Sequence, residues 1–424
     1  MKRNADLYLS YVTATVFSPR LPDDLSETPL ARRARELRRD GAVLHDLTVS
    51  NPTRAGFVYP EKILRNAFAR AAVADYDPQP RGLVSTREAI VGYYAAAGGE
   101  GERPVGRPAH GPPAHGPLDP GHIHCTSASS EAYSMLFKLL CAPGDDICIP
   151  HPAYPLFSWL AALDAVAVRS YDLRLAPDGR WCIDMHALDL SLTPRTRAVI
   201  VVNPSNPAGN YLRPEEFVQL DALCARRGIA LIVDEVFWDF PLDARIDDDG
   251  RRQRSVGTHG EALRFTINGL SKLLGLPQMK LGWIVTEGPA RLRDEALARL
   301  DIMADAYLSV SAPVMRAAAE MLTQRDFLQQ QIHARCADNL ATALAVLRDV
   351  EDGGMLLRPE GGWSALLRLP EDANEEDTAL RLLEQRQVLT HPGSLFDFPR
   401  GAYLVLSLLP ESATFREAVS LLRD

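Results

Sequence analysis

Between residues 122 and 285, short apolar runs alternate with polar turns and amphipathic stretches. His122–Cys125, Asp146–Pro150, Ala198–Val202, Ala230–Val233, Arg264–Ile267 and Leu281–Val285 are rich in Ile and Val, and each predicts a strand. Several are apolar at every position, as strands covered on both faces of a parallel or mixed sheet are. Helical patterns fill the intervals. Ala132, Met135, Leu136, Leu139 and Leu140 recur at the spacing of one buried helical face. Further helices are predicted over Leu30–Arg39, from Glu61 towards Val73, and over Ser85–Ala97, where Ser85 and Glu88 suit a capping pair. Residues 291–350 read as helical with a break at Ser309–Pro313. Strand patterns follow at 354–369, 388–391 and 402–409, with a closing helix after Ser412. Strand–helix alternation followed by clustered strands predicts a large α/β domain and a smaller α+β domain. The boundaries fall at 1–55 for an N-terminal segment that joins the small domain, 56–310 for the large domain, and 311–424 for the small C-terminal domain.

Composition narrows the classes. At 424 residues the chain exceeds most single cores. Its 46% apolar and 24% charged residues are those of an ordinary globular protein. A net charge of −9 argues against nucleic acid as the main partner, since phosphate binding needs clustered Lys and Arg. No apolar run is long enough to span a bilayer, and Met1–Thr15 lacks the apolar core of a secretory signal. The six cysteines are scattered with no C-x-x-C pair, which suits reduced thiols in the cytoplasm. Gly98–Gly121 repeats Ala-His-Gly-Pro and reads as a solvent loop. His110, His115, His122 and His124 could gather around a metal, but the prolines and glycines among them fix no geometry, and no metal site is expected.

Ligands of open α/β sheets bind beyond the carboxyl ends of the strands. Ser129 and Ser130 follow the first strand and open a helix, where free N–H groups and the dipole favour an anion; simple capping by either serine is also possible. Tyr154 lies past the second strand and could stack on a flat ring or pack in the core. Asn203-Pro-Ser-Asn206-Pro-Ala-Gly209 follows the third, and the Asn206 amide could donate to a ligand oxygen or serve the turn. Asp234 ends the fourth strand. Buried there, it needs a cation or N–H groups to stay charged, and an arginine or a protonated ring nitrogen would serve. Lys272 follows the fifth among small and apolar neighbours, with Lys280 beyond it. A desolvated lysine has a lowered pKa and can form a Schiff base. Phosphate cradle, amide, carboxylate, stacking ring and reactive lysine together describe a site for pyridoxal phosphate.

At these residues the chain resembles the class I/II aminotransferases, the fold-type-I enzymes that use pyridoxal 5'-phosphate. The matching stretches are Asn203–Gly209, Asp234-Glu235, Ser271-Lys272 with the following Leu-Gly-Leu-Pro and Lys-Leu-Gly-Trp, and Pro392-Gly393-Ser394 with Phe396. The resemblance implies a mostly parallel seven-stranded sheet between helices. It implies that Lys272 carries the cofactor and moves the substrate proton, that Asp234 pairs with the pyridine nitrogen, and that Asn206 holds the phenolate oxygen. Tyr154 would stack on the ring, Ser129, Ser130 and Lys280 would hold the phosphate, and Ser271 would also bind the cofactor. Tyr76 would reach the phosphate of a partner subunit, which implies a homodimer with shared sites. The implied reaction moves an amino group from an amino acid, or another primary amine, to a 2-oxo acid.

Three positions depart from the family's pattern. Lys280 stands where an arginine is usual, so the charge remains without the bidentate fork. Phe237 replaces a tyrosine. Val405 replaces the arginine that grips the substrate carboxylate. Arg54, Arg81 and Arg400 are the basic residues that could take over that last task, with Arg54 and Arg81 the closer to expected turns of the site. Because one scaffold hosts many chemistries, a lyase, decarboxylase or oxidase reaction is the alternative. A cofactor-binding sensor domain is a third reading, and no basic DNA-binding extension accompanies it.

Overall fold

The computed structural model describes residues 18, 20–21, 25–71, 76–97, 118–243, 246, 250–348 and 354–423. The histidines His110 and His115 therefore lie outside the described residues. Fourteen strands are numbered here in chain order. β1 is His45–Asp46, β2 Ile123–Thr126, β3 Asp146–His151, β4 Ala167–Leu175 and β5 Trp181–Ile183. β6 is Thr196–Val202, β7 Ala230–Asp234, β8 Arg264–Gly269, β9 Gly282–Glu287 and β10 Met355–Leu357. β11 is Ser364–Arg368, β12 Val388–Leu389, β13 His391–Pro392 and β14 Tyr403–Ser407.

The main sheet has eight strands in the order β2-β9-β8-β7-β6-β3-β4-β5. The run from β4 through β3, β6 and β7 to β8 is parallel, and β9 is antiparallel to both its neighbours. All six strands expected from the apolar runs lie in this sheet. β4 and β5 were not among them. β4 is an alternating segment near the edge, Ala-Val-Arg-Ser-Tyr-Asp-Leu-Arg-Leu, with only Tyr171 and Leu173 buried. Its charges interrupt the continuous apolar signal that marks the central strands, and β5 pairs with its far end as an antiparallel flap.

The two-residue period of a strand sends alternate side chains to opposite layers. Ile147, Ile149, Ala198, Ile200, Ile232, Phe265 and Ile267 pack against Met135 and Leu136 of the helix Ser129–Leu140. Val199, Val201, Leu231 and Val233 pack on the other side with Phe217 and Leu220 of the helix Pro214–Arg227. That helix ends on Gly228, which takes the left-handed conformation at φ +66°, a stop that glycine adopts without strain.

A second, antiparallel sheet has the order β10-β11-β14-β13, and β1 pairs in parallel with β12 beside it. Its core joins Leu47 and Ala55 from the N-terminal side to Leu404, Leu406 and Phe415, and to Ile332 and Leu340 of the long helix Arg325–Val346. The helix Ala312–Leu322 instead packs with the helices Glu61–Arg70 and Val84–Ala97 against β2 and β9. Leu328 belongs to that core and Ile332 to the other, so the two cores change over within one helix. The helix Val84–Ala97 starts one residue before Ser85, which lies in its first turn and does not precede it. No helix among the described residues is long and apolar enough to cross a membrane.

Candidate active site

Register brings the chemistry-bearing turns to one end of the sheet. Val202 pairs with Asp234, and Asp234 with Ile267. Gly269 pairs with Gly282, and Gly282 with Thr126. The carboxyl ends of β2, β6, β7 and β8 therefore lie at one end of the sheet, with β2 and β8 flanking the start of β9. Two glycines allow the close approach. A Cβ on Gly269 would lie 2.9 Å from the Gly282 Cα, and one on Gly282 would lie 3.2 Å from the Ala128 carbonyl carbon. Without side chains at these two positions, the turn carrying Lys272 sits directly on the turn that opens the helix Ser129–Leu140.

That helix begins without a side-chain cap. Its N-cap is Ala128, in an extended conformation. Ser129 and Ser130 are its first two residues and are half-buried. Neither caps, so the first-turn N–H groups stay available to an anion, and the positive end of the helix dipole adds to them. Glu131 secures the turn by accepting from the Ser127 N–H at 2.6 Å and from the Ser309 hydroxyl at 2.8 Å.

Asp234 is 7% exposed. Its Oδ2 accepts from the Tyr133 hydroxyl at 2.7 Å and its Oδ1 from the Val236 N–H at 3.0 Å. Burial pushes its pKa up, while the Val236 N–H, Tyr133 and the charge of Lys272 oppose the rise. Lys272 shows the mirror image. Burial pushes its pKa down, and Asp234 opposes the fall. The Lys272 ammonium lies 5.4 Å from the Phe237 ring centroid and 5.1 Å from that of Trp363. A half-buried amine with a depressed pKa, flanked by aromatic rings and under the influence of one carboxylate, is a nucleophile for an aldehyde.

In the turn after β6, six of the seven residues Asn203–Gly209 are buried and Asn206 is half-buried. Asn203 is committed to the turn itself: its Oδ1 accepts from the Leu212 N–H and its Nδ2 donates to the Gln253 carbonyl, both at 2.9 Å. Asn206 has no such partner among the described residues, so its amide is the one the turn offers outward. Tyr154 is partly exposed and meets Phe157 edge-on at 5.9 Å. Ser271 is half-buried beside Lys272. Lys280 is exposed in a left-handed conformation at φ +51°, and its ammonium meets no partner among the described residues. Tyr76 is 80% exposed. It lines a groove with Pro80, Tyr307, Leu308 and Ser309.

The arginines differ. Arg81 forms a two-pronged ion pair with Asp301, both distances 2.6 Å, and also donates to the Gly121 carbonyl. Its guanidinium is spent on holding the segment that carries Tyr76. Arg54 is exposed at the end of the turn Pro52–Arg54. That turn lies against the loop after Lys272, where Tyr59 donates to the Gly275 carbonyl at 2.8 Å and Pro52 flanks Gly275. Arg400 is exposed. Val405 is buried in β14, opposite Leu366 on one side and His391 on the other. His122 begins no cluster with His124, whose Nε2 is 3.0 Å from Asp301.

Two residues at the site were not expected. Trp363 brings the second sheet against Lys272. Tyr133 reaches Asp234 from the helix below. The signal for Tyr133 was present: a buried tyrosine needs a partner for its hydroxyl, and this one lies one turn from Ser129 on the same helix.

The family description "aminotransferase class I and II" matches residues 110–418 of the chain. Alanine aminotransferase of Mycobacterium tuberculosis is 25% identical over 410 residues, covering 95% of this chain and 90% of that protein. Glutamate-pyruvate aminotransferase AlaA of Escherichia coli is 24% identical over 391 residues, covering 90% of each. Among solved structures, alanine aminotransferase from Pyrococcus furiosus superposes with a TM-score of 0.81 at 22% identity, covering 93% of this chain and 95% of that one.

Proposed function

The chain belongs to the class I and II aminotransferases, and from that premise we propose that it moves an amino group from an amino acid or another primary amine to a 2-oxo acid, using pyridoxal 5'-phosphate. The relatives named above suggest alanine or glutamate among the donors and pyruvate among the acceptors. A lyase, decarboxylase or oxidase reaction on this scaffold has no comparable support.

The observation that carries the reading is the half-buried Lys272, within electrostatic reach of the buried Asp234, set against an uncapped helix N-terminus. The residues fit the cofactor by their chemistry. The free first-turn N–H groups at Ser129 and Ser130 suit its phosphate, with the exposed Lys280 charge at hand. Asp234 suits a protonated pyridine nitrogen, and the outward Asn206 amide suits the phenolate oxygen. Tyr154 offers a ring face to a flat heterocycle. When bound, the cofactor supplies an electron sink for the pair released as the substrate's Cα–H bond breaks. Lys272 would be the amine that holds the cofactor and the base that takes the proton from the substrate's Cα. Its depressed pKa keeps a share of it neutral for both tasks. Phe237 and Trp363 place apolar rings beside it. Tyr76, exposed on its own chain, would complete the phosphate site of a second copy.

Borohydride reduction of the cofactor-loaded protein followed by peptide mass spectrometry tests this. The label is expected on Lys272, and Lys272→Ala should abolish both label and amino transfer. A label on another lysine would overturn the assignment.

A further inference from the structure

We propose that Tyr133 is a positioning residue that holds the Asp234 carboxylate in the plane and charge state needed to recognise the ring nitrogen of the cofactor; this rests on the role proposed above for Asp234. The Tyr133 hydroxyl donates to Asp234 Oδ2 at 2.7 Å, and both groups are buried. The tyrosine ring is fixed edge-on against Phe157, with centroids 5.1 Å apart, and lies 6.0 Å from Phe137. Its hydroxyl therefore has one address.

Two features make this more than packing. First, Tyr133 follows Ser129 by four residues and Ser130 by three, so it lies one turn further along the same face of one helix. A single rigid element thus presents the first-turn N–H groups at one level and the donor to Asp234 at the next. It sets the distance between an anion-binding end and a carboxylate, which a ligand with a phosphate and a ring nitrogen must span. Second, the two donors divide the carboxylate between them. Val236 N–H takes Oδ1 and Tyr133 takes Oδ2. A carboxylate has about four lone-pair sites, so acceptor capacity remains for a ring N–H, while the plane is pinned from two directions. Burial alone favours the neutral acid, and a neutral acid has no charge with which to keep a pyridine nitrogen protonated. The phenol itself stays a donor, because burial pushes its pKa well above the ordinary value.

Tyr133→Phe removes one oxygen and leaves the ring packing in place. The full-length chain, stripped of cofactor, would be titrated with pyridoxal phosphate and with its 1-deaza analogue, in which C–H replaces the ring nitrogen. The unaltered chain is expected to prefer pyridoxal phosphate. The variant should lose about tenfold or more in affinity for pyridoxal phosphate, with the analogue changed by less than about twofold, as loss of a hydrogen bond to a charged group predicts. Asp234→Asn should erase the preference altogether. Equal losses for both compounds would reduce Tyr133 to a packing residue, and no loss for either would show that Asp234 does without it; both overturn the proposal. If the unaltered chain binds the two compounds equally, the failure lies in the role given to Asp234, and the Tyr133 proposal falls with it.

Discussion

Val405 leaves the carboxylate of an amino-acid donor without the arginine that the family places there, and the buried ladder around it offers no substitute. Leu366 and His391 face it across the strands, and burial pushes the His391 pKa down, so that ring stays neutral at neutral pH. Of the three arginines legible in the sequence, Arg81 is tied to Asp301, and Arg400 is exposed just ahead of β14. Arg54 remains, on a turn packed against the loop that follows Lys272 and with no ion pair among the described residues. Arg54→Ala should raise KM for amino-acid donors by about tenfold to a hundredfold, the loss of a hydrogen bond to a charged group. KM for a primary amine without a carboxylate should hardly move. Steady-state kinetics on such a matched pair decides it, and an equal change for both substrates would remove Arg54 from carboxylate recognition. At this scale the sequence was informative where a polar residue ends or follows an apolar strand, as at Asp234 and Lys272, whose place at one end of the sheet could be read from the chain. It was silent where the use depends on a neighbour distant in sequence. Nothing near Trp363 in the chain announces Lys272, and the need of a buried tyrosine for a partner does not say that Tyr133 meets Asp234; these partners lie about 100 residues apart in the chain.

The segment 76–82 shows how an element without regular structure is held. Arg81 and His124 both grip Asp301 on the helix Ala290–Tyr307, and the Cys125 N–H donates to the Arg81 carbonyl at 3.0 Å. Burial alone would raise the Asp301 pKa, but the hydrogen bonds from Arg81 and His124 outweigh it and hold the carboxyl well below the usual range. Because the folded value is the depressed one, the unfolded chain binds more protons in the acid range. The stability that Asp301 contributes is thus full above about pH 4 and is lost as pH falls through the folded value. The carboxylate is 33% exposed, so water screens part of the effect, and a contribution of about 1–2 kcal/mol is reasonable. Asp301→Asn should therefore lower the melting temperature at pH 7, and the gap from wild type should narrow as pH drops below about 4. Amide hydrogen exchange in residues 76–82 should speed up in the variant at pH 7. A gap that widens in acid would contradict the linkage. At this scale the apolar runs were enough to place six of the eight strands of the main sheet, since a strand buried on both faces leaves an uninterrupted signal. β4 escaped because it carries its charges in alternation, and the short β5 has no periodicity of its own.

Sheet order is a property of the whole molecule, and local pattern is blind to it. Nothing in the chain from Leu281 to Val285 shows that β9 runs against its neighbours, yet that reversal brings Gly282 beside Gly269 and closes the site. Association is legible only in part for the same reason. Tyr76 is 80% exposed, and Ile302, Tyr307 and Leu308 are also exposed on the adjoining helix. Clustered apolar exposure of this kind marks an interaction surface. If that surface joins two copies and Tyr76 enters the site of the other, light scattering should give about twice 46.7 kDa. The sharper test mixes two damaged proteins. Lys272→Ala leaves Tyr76 intact, and Tyr76→Ala leaves Lys272 intact. In a mixed dimer with shared sites, one site receives Lys272 from one chain and Tyr76 from the other, and the second site lacks both. Random exchange of equal amounts makes half the dimers mixed, so about a quarter of all sites become whole. Amino transfer should then rise from the low level of either parent towards about a quarter of the wild-type rate. If Tyr76 serves the site of its own chain, every site in the mixture lacks one of the two residues, and mixing restores nothing.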